Sequence, residues 1–197
     1  MENRDVKSLK HRRDDRSIKD FKDDISKYTE HERIAAELIQ KDLQSKGHEV
    51  DIKDYGMDND GSLIIKSRKV NAKPDYLFII DGKNILFEIK VHSEQFKCMT
   101  FKKSNLLRYK KEKSNILIIR ENGYYIITTK TIDHICKNFD FRIYKSFSPN
   151  DISVRLNNSE IKTLVNYGMI QYRKWNDDVQ KIVKTQIHIF KRKNKDD

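Results

Sequence analysis

An apolar segment with a turn in its middle constrains the fold of this chain more than any other stretch. Residues 76–80 (YLFII) are followed by the turn dipeptide Asp81-Gly82, and residues 85–92 (ILFEIKVH) then alternate between two sets of side chains. Alternation with a period of two indicates a strand, and Asp-Gly between two such segments is typical of a tight hairpin turn. We therefore predict a β-hairpin.

The hairpin carries charged residues in an apolar setting. Glu88 and Lys90 share one face of the second strand, and Asp75, preceded by Pro74, begins the first strand. Burial of such charges is costly unless they are paired or bind a metal. Two carboxylates and a lysine are also the groups needed to hold a divalent cation against a phosphodiester. The alternative is a solvated strand face, with Asp75 serving as a turn residue.

The triplet Glu88-Ile89-Lys90 is not informative by itself. Similar acidic-x-Lys triplets occur at residues 5–7, 51–53 and 160–162, and 36% of the chain is charged. The hairpin and the single Pro-Asp dipeptide of the chain distinguish this triplet from the others. The combination, and not the triplet, supports a functional interpretation.

Pro74-Asp75, the hairpin and Glu88-Ile89-Lys90, in this order, resemble the signature of the PD-(D/E)XK nuclease superfamily over about residues 29–129. The resemblance implies an α/β fold with a restriction-endonuclease-like core, in which helices flank a mixed central sheet in the order αβββαβ. It also implies an Mg²⁺- or Mn²⁺-dependent endonuclease whose products are a 5′-phosphate and a 3′-hydroxyl. Asp75, Glu88 and the main-chain carbonyl of Ile89 would bind the metal, and Lys90 would act in catalysis.

Glu32 is the candidate for a further carboxylate, since the superfamily often places an acidic residue of the first helix in the metal site. We predict a helix over about residues 29–46, on which Glu32 lies on the stripe that would face the sheet, formed by Tyr28, Ala35, Ile39 and Leu43. Thr29 and Glu32 also have the spacing of a capping box, in which Glu32 would bond to the start of the helix. Both interpretations remain open.

Composition favours a phosphate-rich partner. Lys and Arg number 41 against 30 for Asp and Glu, which gives a net charge of +11. As a small basic chain, this protein is similar to the archaeal and viral Holliday-junction resolvases of the superfamily. We therefore expect a homodimer that binds nucleic acid. DNA is expected in preference to RNA, and branched DNA in particular. The chain has no apolar run of membrane-spanning length and no signal peptide, so we expect an intracellular protein without membrane contact. Cys98 and Cys136 are expected to be reduced thiols.

Two other functions are compatible with the same residues. One is a cap-snatching RNA endonuclease domain of segmented negative-strand RNA viruses, with His31 as a helix histidine ligand and Lys103 on the next helix. The Asn-Tyr that commonly follows Pro-Asp in those domains is absent here, and His31 is equally interpreted as a surface residue. The other is a non-catalytic nucleic-acid-binding protein on the same fold. It has no need for two carboxylates facing phosphate.

Three segments complete the predicted organisation. Residues 1–28 form a charged N-terminal arm or helix, residues 29–147 the nuclease core, and residues 148–197 a C-terminal extension for nucleic-acid binding or dimerisation. A second core helix is predicted over residues 100–113. Its basic side chains would either contact a nucleic-acid backbone or form a solvated face. They are Lys102, Lys103, Arg108 and Lys110.

Further elements follow from local patterns. We predict strands over 48–55 and 63–70, separated by a loop over 56–61, and a hairpin of 115–120 with 124–129 that turns at Asn122-Gly123. A helix over 131–138, a strand over 141–147 and a helix from Asn158 or Ser159 to 165 come next. The extension would end in a basic hairpin, in which 169–174 pairs with 180–190.

Overall fold

The computed structural model describes residues 18–56, 73–92, 97–143 and 152–190. They form an α/β fold in which helices flank a mixed sheet, as predicted. The helices are α1 (Ile18–Ser45), α2 (Lys103–Lys111), α3 (Thr129–Asn138), α4 (Asn158–Asn166) and α5 (Asp177–Thr185), followed by a 3₁₀ helix, Ile187–Phe190. The strands are β1 (Val50–Asp54), β2 (Tyr76–Ile80), β3 (Lys83–Val91), β4 (Cys98–Lys102), β5 (Asn115–Arg120), β6 (Gly123–Ile127), β7 (Arg142–Ile143), β8 (Ile152–Asn157) and β9 (Ile170–Lys174).

Six of these strands form the central sheet, in the order β1-β2-β3-β5-β6-β9. Its neighbouring strands are antiparallel except β3 and β5, which are parallel. A parallel pair needs a long crossover, and β4 with α2 supplies it. A smaller sheet has the order β4-β8-β7.

The hairpin of β2 and β3 is confirmed. Tyr76 pairs with Phe87 and Ile80 with Lys83, so the turn consists of Asp81 and Gly82. Both turn residues have positive φ, 49° and 75°, as a type I′ turn requires.

The second hairpin, β5 with β6, is also present, but its predicted turn is displaced by one residue. Arg120 pairs with Gly123, so Glu121 and Asn122 form the turn. Gly123 is instead needed where β9 approaches: its φ is 154°, and a Cβ there would lie 2.2 Å from the Arg173 carbonyl oxygen. Close approach of a neighbouring strand explains this glycine.

Helix α1 covers one face of the sheet. The core on this face joins apolar residues of α1 and α5 to the odd-numbered core residues of β3 and β5, which are Phe87, Ile89, Leu117 and Ile119. The helix extends back to at least Ile18, so the predicted start at Thr29 is wrong, and Tyr28 is 60% exposed. Since Thr29 and Glu32 lie inside a continuous helix, the capping-box interpretation of Glu32 is wrong as well.

The opposite face is covered by α2, α3, α4 and the smaller sheet. Even-numbered residues of the same strands, such as Ile116 and Ile118, pack there against these elements. The predicted helix over 100–113 begins only at Lys103, because residues 98–102 form β4 and pair with β8. Strand β8 itself was not predicted. Helix α4 has a capping box between Asn157 and Glu160, so its cap lies one residue before the predicted Asn158.

The predicted C-terminal hairpin is wrong. Strand β9 pairs with β6 at the edge of the central sheet, and the segment after it is the helix α5. The Asn176 side chain accepts a hydrogen bond from Val179 N, which caps the helix, and Val179 and Val183 are buried four positions apart. The side chains of 179–183 therefore follow a helical period that packs on α1, not a strand period.

Several predictions fall outside the described residues. They concern residues 1–17 of the N-terminal arm, most of the 56–61 loop, the strand over 63–70 and the end of the strand over 141–147. Helix α3 begins at Thr129, two residues before its predicted start. Within the described residues, no helix is long and apolar enough to cross a membrane, and Cys98 and Cys136 are free thiols.

Candidate active site

The candidate site lies at the start of β2, where β3 continues beyond its last pair with β2. The last backbone pair of the two strands is Tyr76 with Phe87, and β3 runs on to Val91. Asp75 lies immediately before β2, and its Oδ2 accepts a hydrogen bond from Ile89 N at 2.8 Å. A side-chain carboxylate therefore takes the place of a strand backbone, which fixes Asp75 against the second half of β3.

Lys90 is the centre of the cluster. Its Nζ lies 2.9 Å from Glu88 Oε1, 3.3 Å from Glu32 Oε1 and 3.9 Å from Asp75 Oδ2. Alternation along β3 puts Glu88 and Lys90 on one strand face, and Glu32 comes from α1. The structure thus brings together the four charged residues that the sequence singled out.

Glu88 is the most enclosed of these groups, with 6% of its side chain exposed. Its Oε1 accepts a hydrogen bond from the Tyr109 hydroxyl at 2.6 Å and lies 3.8 Å from an Nη of Arg108. Both residues come from α2, and the Arg108 guanidinium lies over the Tyr109 ring. Helix α2 therefore fixes the orientation of the Glu88 carboxylate.

Burial and charge crowding raise the pKa of two of the carboxylates, Asp75 and Glu32. Burial, together with the nearby charges of Glu88 and Glu32, raises the pKa of Asp75 to about 7 despite the opposing effect of Lys90. Burial also raises the pKa of Glu32, again against Lys90. Burial alone would lower the pKa of Lys90, but the three carboxylates outweigh it and raise that pKa well above its ordinary value. The cluster has more negative charge than Lys90 can compensate.

A hard divalent cation fits the donor chemistry of this cluster. Carboxylate and carbonyl oxygens are the ligands that Mg²⁺ prefers, and it commonly uses one or two carboxylates with waters and substrate oxygens rather than a complete protein cage. Within the described residues, no group of three or more His, Cys, Asp or Glu side chains is already arranged as a metal site. Asp75, Glu88 and the Ile89 carbonyl would hold such a cation, with Glu32 next to them.

The other predicted cations have different positions. Arg108 reaches the cluster through Glu88. Lys110 instead forms an ion pair with Asp133 of α3, and the Lys103 ammonium lies 5.3 Å from the centre of the Phe141 ring. Lys102 is the last residue of β4 and is partly buried. Arg108 is therefore in contact with the carboxylate cluster, whereas the contacts of Lys110 and Lys103 are with Asp133 and Phe141.

His31 is not the surface residue that one interpretation predicts. It is buried, and its ring lies 6.3 Å from that of Tyr28 and 6.1 Å from that of His188. Burial is the main reason that its pKa is lowered. These ring contacts place His31 in a different environment from its neighbour Glu32.

Tyr109 is the site residue that sequence reasoning missed. The helical spacing of residues 100–113 predicts that Tyr109 faces the core, and it is 3% exposed. The bond to Glu88 depends on the position of α2 relative to β3, which the local pattern does not contain. The buried hydroxyl was the available signal, because a buried tyrosine normally has a polar partner.

The chain was compared with models of known protein families and with curated proteins. Neither comparison finds a match. A functional interpretation therefore depends on the fold and on the geometry of the cluster.

Proposed function

We propose that this protein is a metal-dependent nuclease that hydrolyses phosphodiester bonds, with a restriction-endonuclease-like core and DNA as its preferred substrate. The observation that carries the proposal is the convergence of Glu32, Asp75 and Glu88 on Lys90 at the start of β2. Three carboxylates around one ammonium favour a further cation. The net charge of +11 favours a polyanionic substrate, which contacts a wide basic surface, over a small anionic metabolite that would contact only the site.

Each side chain has a defined task in this proposal. Asp75, Glu88 and the Ile89 carbonyl hold Mg²⁺ or Mn²⁺, which when bound lowers the pKa of water and neutralises charge on the phosphate. Glu32 adds a carboxylate from α1. Lys90 stabilises the negative charge that builds on the phosphate oxygens, and Tyr109 keeps Glu88 in its orientation.

A non-catalytic nucleic-acid-binding protein is the competing hypothesis. Such a protein gains nothing from buried carboxylates, because they repel phosphate. The RNA endonuclease alternative requires a histidine ligand on the first helix, and His31 instead contacts the rings of Tyr28 and His188. These observations favour a catalytic site and, within the superfamily, the DNA nucleases. The homodimer stays a prediction, which light scattering of the purified protein tests.

A cleavage panel tests the proposed function. Single-stranded, duplex and four-way-junction DNA and RNA are incubated with the parent protein in Mg²⁺ or Mn²⁺. We expect cleavage of at least one DNA and a loss of about a hundredfold or more in Asp75→Ala, since the cation loses an anionic ligand.

The chain contains a matched control for this panel. Asp51 and Lys53 have the same acidic-x-Lys spacing, but they lie on the edge strand β1 with side chains 62% and 61% exposed. Asp51→Ala is expected to cut within about twofold of the parent. Absence of cleavage of every substrate, or equal activity of Asp75→Ala and Asp51→Ala, would contradict the proposal.

Tyr109→Phe is expected to weaken cation binding and cleavage by roughly tenfold, because loss of an outer partner loosens a ligand carboxylate. The matched control is Tyr124→Phe, which removes a buried hydroxyl that donates to the buried carboxylate of Asp42 at 2.8 Å. Both variants should lose about 1 kcal/mol of folding free energy in urea titrations. Only Tyr109→Phe should lose activity; equal activity loss in both would assign Tyr109 a structural role alone.

A further inference from the structure

The register of the central sheet connects the candidate site to the sheet edge. Lys90 of β3 is level with Ile118 of β5, Ile118 with Tyr125 of β6, and Tyr125 with Tyr172 of β9. Residues level with one another in neighbouring strands project to the same face of a sheet. One row of side chains therefore extends from Lys90 to the edge strand.

A second row runs beside the first. Arg120 is level with Gly123, and Gly123 with Lys174. His92 extends this row beyond β3, since its backbone N–H donates to the Ile119 carbonyl at 2.9 Å. We define the aromatic-basic strip as His92, Arg120, Tyr125, Tyr172 and Lys174.

The strip is the part of this face near the ends of the strands. Ile118 is fully buried under the helices, so the path from Lys90 passes along the second row. The Arg120 guanidinium lies 5.5 Å from the centre of the Tyr125 ring, and the rings of Tyr125 and Tyr172 are 4.8 Å apart with planes tilted by 39°. Tyr172 is 36% exposed and Lys174 is exposed at the outer end.

Rings and cations in this order suit an unpaired nucleic-acid strand. Exposed aromatic rings stack on bases, and arginine and lysine contact the phosphates between them. From β3 to β9 the strip spans about 14 Å, which is three strand spacings. A duplex would present its bases already stacked and would gain nothing from the rings. None of the five residues is acidic.

We propose that the aromatic-basic strip binds a single-stranded segment of nucleic acid that continues from the candidate site at Lys90. The identity of this segment as substrate rests on the proposed nuclease function, but its binding does not. Binding is therefore measured in EDTA, where a metal-dependent nuclease cannot cut.

Fluorescence anisotropy of the full chain with a labelled short oligothymidylate tests the role of the rings. Tyr172→Leu is expected to weaken binding roughly fivefold to a hundredfold, and Tyr172→Phe, which keeps the ring, to bind within about twofold of the parent. The matched control is Tyr167→Leu, because Tyr167 is 76% exposed and precedes β9, at the end opposite Lys174. A duplex of the same length should bind with little difference between the variants.

Salt dependence tests the cation at the outer end. Lys174→Ala should reduce the slope of log affinity against log salt by about one, as loss of one phosphate contact requires. Lys162→Ala, an exposed lysine of α4, should leave the slope unchanged. Thermal melts of all variants establish that they are folded.

The outcomes separate this proposal from the nuclease proposal. If no nucleic acid is ever cut but Tyr172→Leu loses single-strand binding, the strip stands and the nuclease function fails. If the parent cuts DNA and Tyr172→Leu binds and cuts like Tyr167→Leu, the strip is wrong and the nuclease stands. A change of oligomeric mass in Tyr172→Leu with unchanged binding would assign the strip to a protein contact and overturn the proposal.

Discussion

Lys90→Met is expected to lower the cleavage rate by about a thousandfold while the protein binds Mg²⁺ at least as tightly as the parent. The ammonium lies within 3.9 Å of all three carboxylates, so it would compete with a bound cation for the same oxygens. Its removal also deletes the positive charge that would meet the reacting phosphate. Methionine keeps much of the length of the side chain without the charge.

Two measurements separate the roles of Lys90. Single-turnover cleavage gives the chemical rate, and calorimetric titration with Mg²⁺ gives the cation affinity. Lys53→Met is the matched control, because Lys53 is an exposed lysine at the corresponding place of the 51–53 triplet. Parental cleavage by Lys90→Met would exclude Lys90 from catalysis, whereas loss of both cleavage and cation binding would mean that Lys90 only holds the carboxylates in place.

Such a competition would allow the proposed metal centre to form only when the cation binds. In the absence of metal, Lys90 partly neutralises a cluster that burial would otherwise penalise, and its pKa is raised in return. A divalent cation would replace that interaction and release the ammonium for the phosphate. The same residue would then serve folding without metal and catalysis with metal.

The local pattern was sufficient for the part of the fold that contains the site. The Asp81-Gly82 turn determines the register of β2 and β3, and a period of two then determines which side chains share a face with Glu88. Helical spacing also placed Glu32 on the side of α1 that faces the sheet. These relations involve residues close in sequence or a strict period, so no tertiary information was needed.

The failures have a common physical cause. The charged residues of 18–28 form no apolar stripe, so their pattern leaves an arm and a helix equally open and predicts the start of α1 only at Thr29. Residues 177–185 form a helix despite the strand propensity of valine and isoleucine. The Asn176 side chain caps this helix, and burial of Val179 and Val183 stabilises it. Packing on α1 overrides propensity there, and sequence alone does not contain that contact.

Contacts between residues far apart in the sequence could not be predicted, for the same reason. The buried carboxylate of Asp42 accepts hydrogen bonds from the Tyr124 hydroxyl and from Asn176 N, and it pairs with Lys46 at 2.5 Å. Lys46 follows the end of α1, but Tyr124 of β6 and Asn176, the residue that caps α5, are far from Asp42 in sequence. Their convergence depends on the strand order β5-β6-β9, which no local pattern predicted.

Asp75→Asn is expected to stabilise the metal-free protein, increasingly so as the pH rises from about 4 to 7. The folded pKa of Asp75, about 7, lies above its unfolded value of 3.8, so the folded state binds more protons than the unfolded state in this window. The free energy of unfolding that depends on protonation of Asp75 is therefore lost as the pH rises through the window, by up to about 4 kcal/mol at 1.36 kcal/mol per pKa unit. Asparagine does not titrate, so the stability of the variant does not decrease in this way.

Titration of His92 changes the stability with pH in the opposite direction. This contribution must be separated from that of Asp75. Burial, with the charges of Arg120 and Lys90, lowers its folded pKa to about 4, so stability from His92 increases as the pH rises towards 6.5. The two slopes oppose each other, and we expect the parent to show a shallow pH dependence between pH 4 and 6.5. Urea unfolding in EDTA of the parent, Asp75→Asn and the exposed control Asp51→Asn measures the difference directly. His92 is common to all three proteins, so its contribution cancels in the comparison. A stability difference between Asp75→Asn and the parent that stays constant over this range would show that Asp75 is already ionised at low pH. The cluster would then have no excess negative charge that favours a cation.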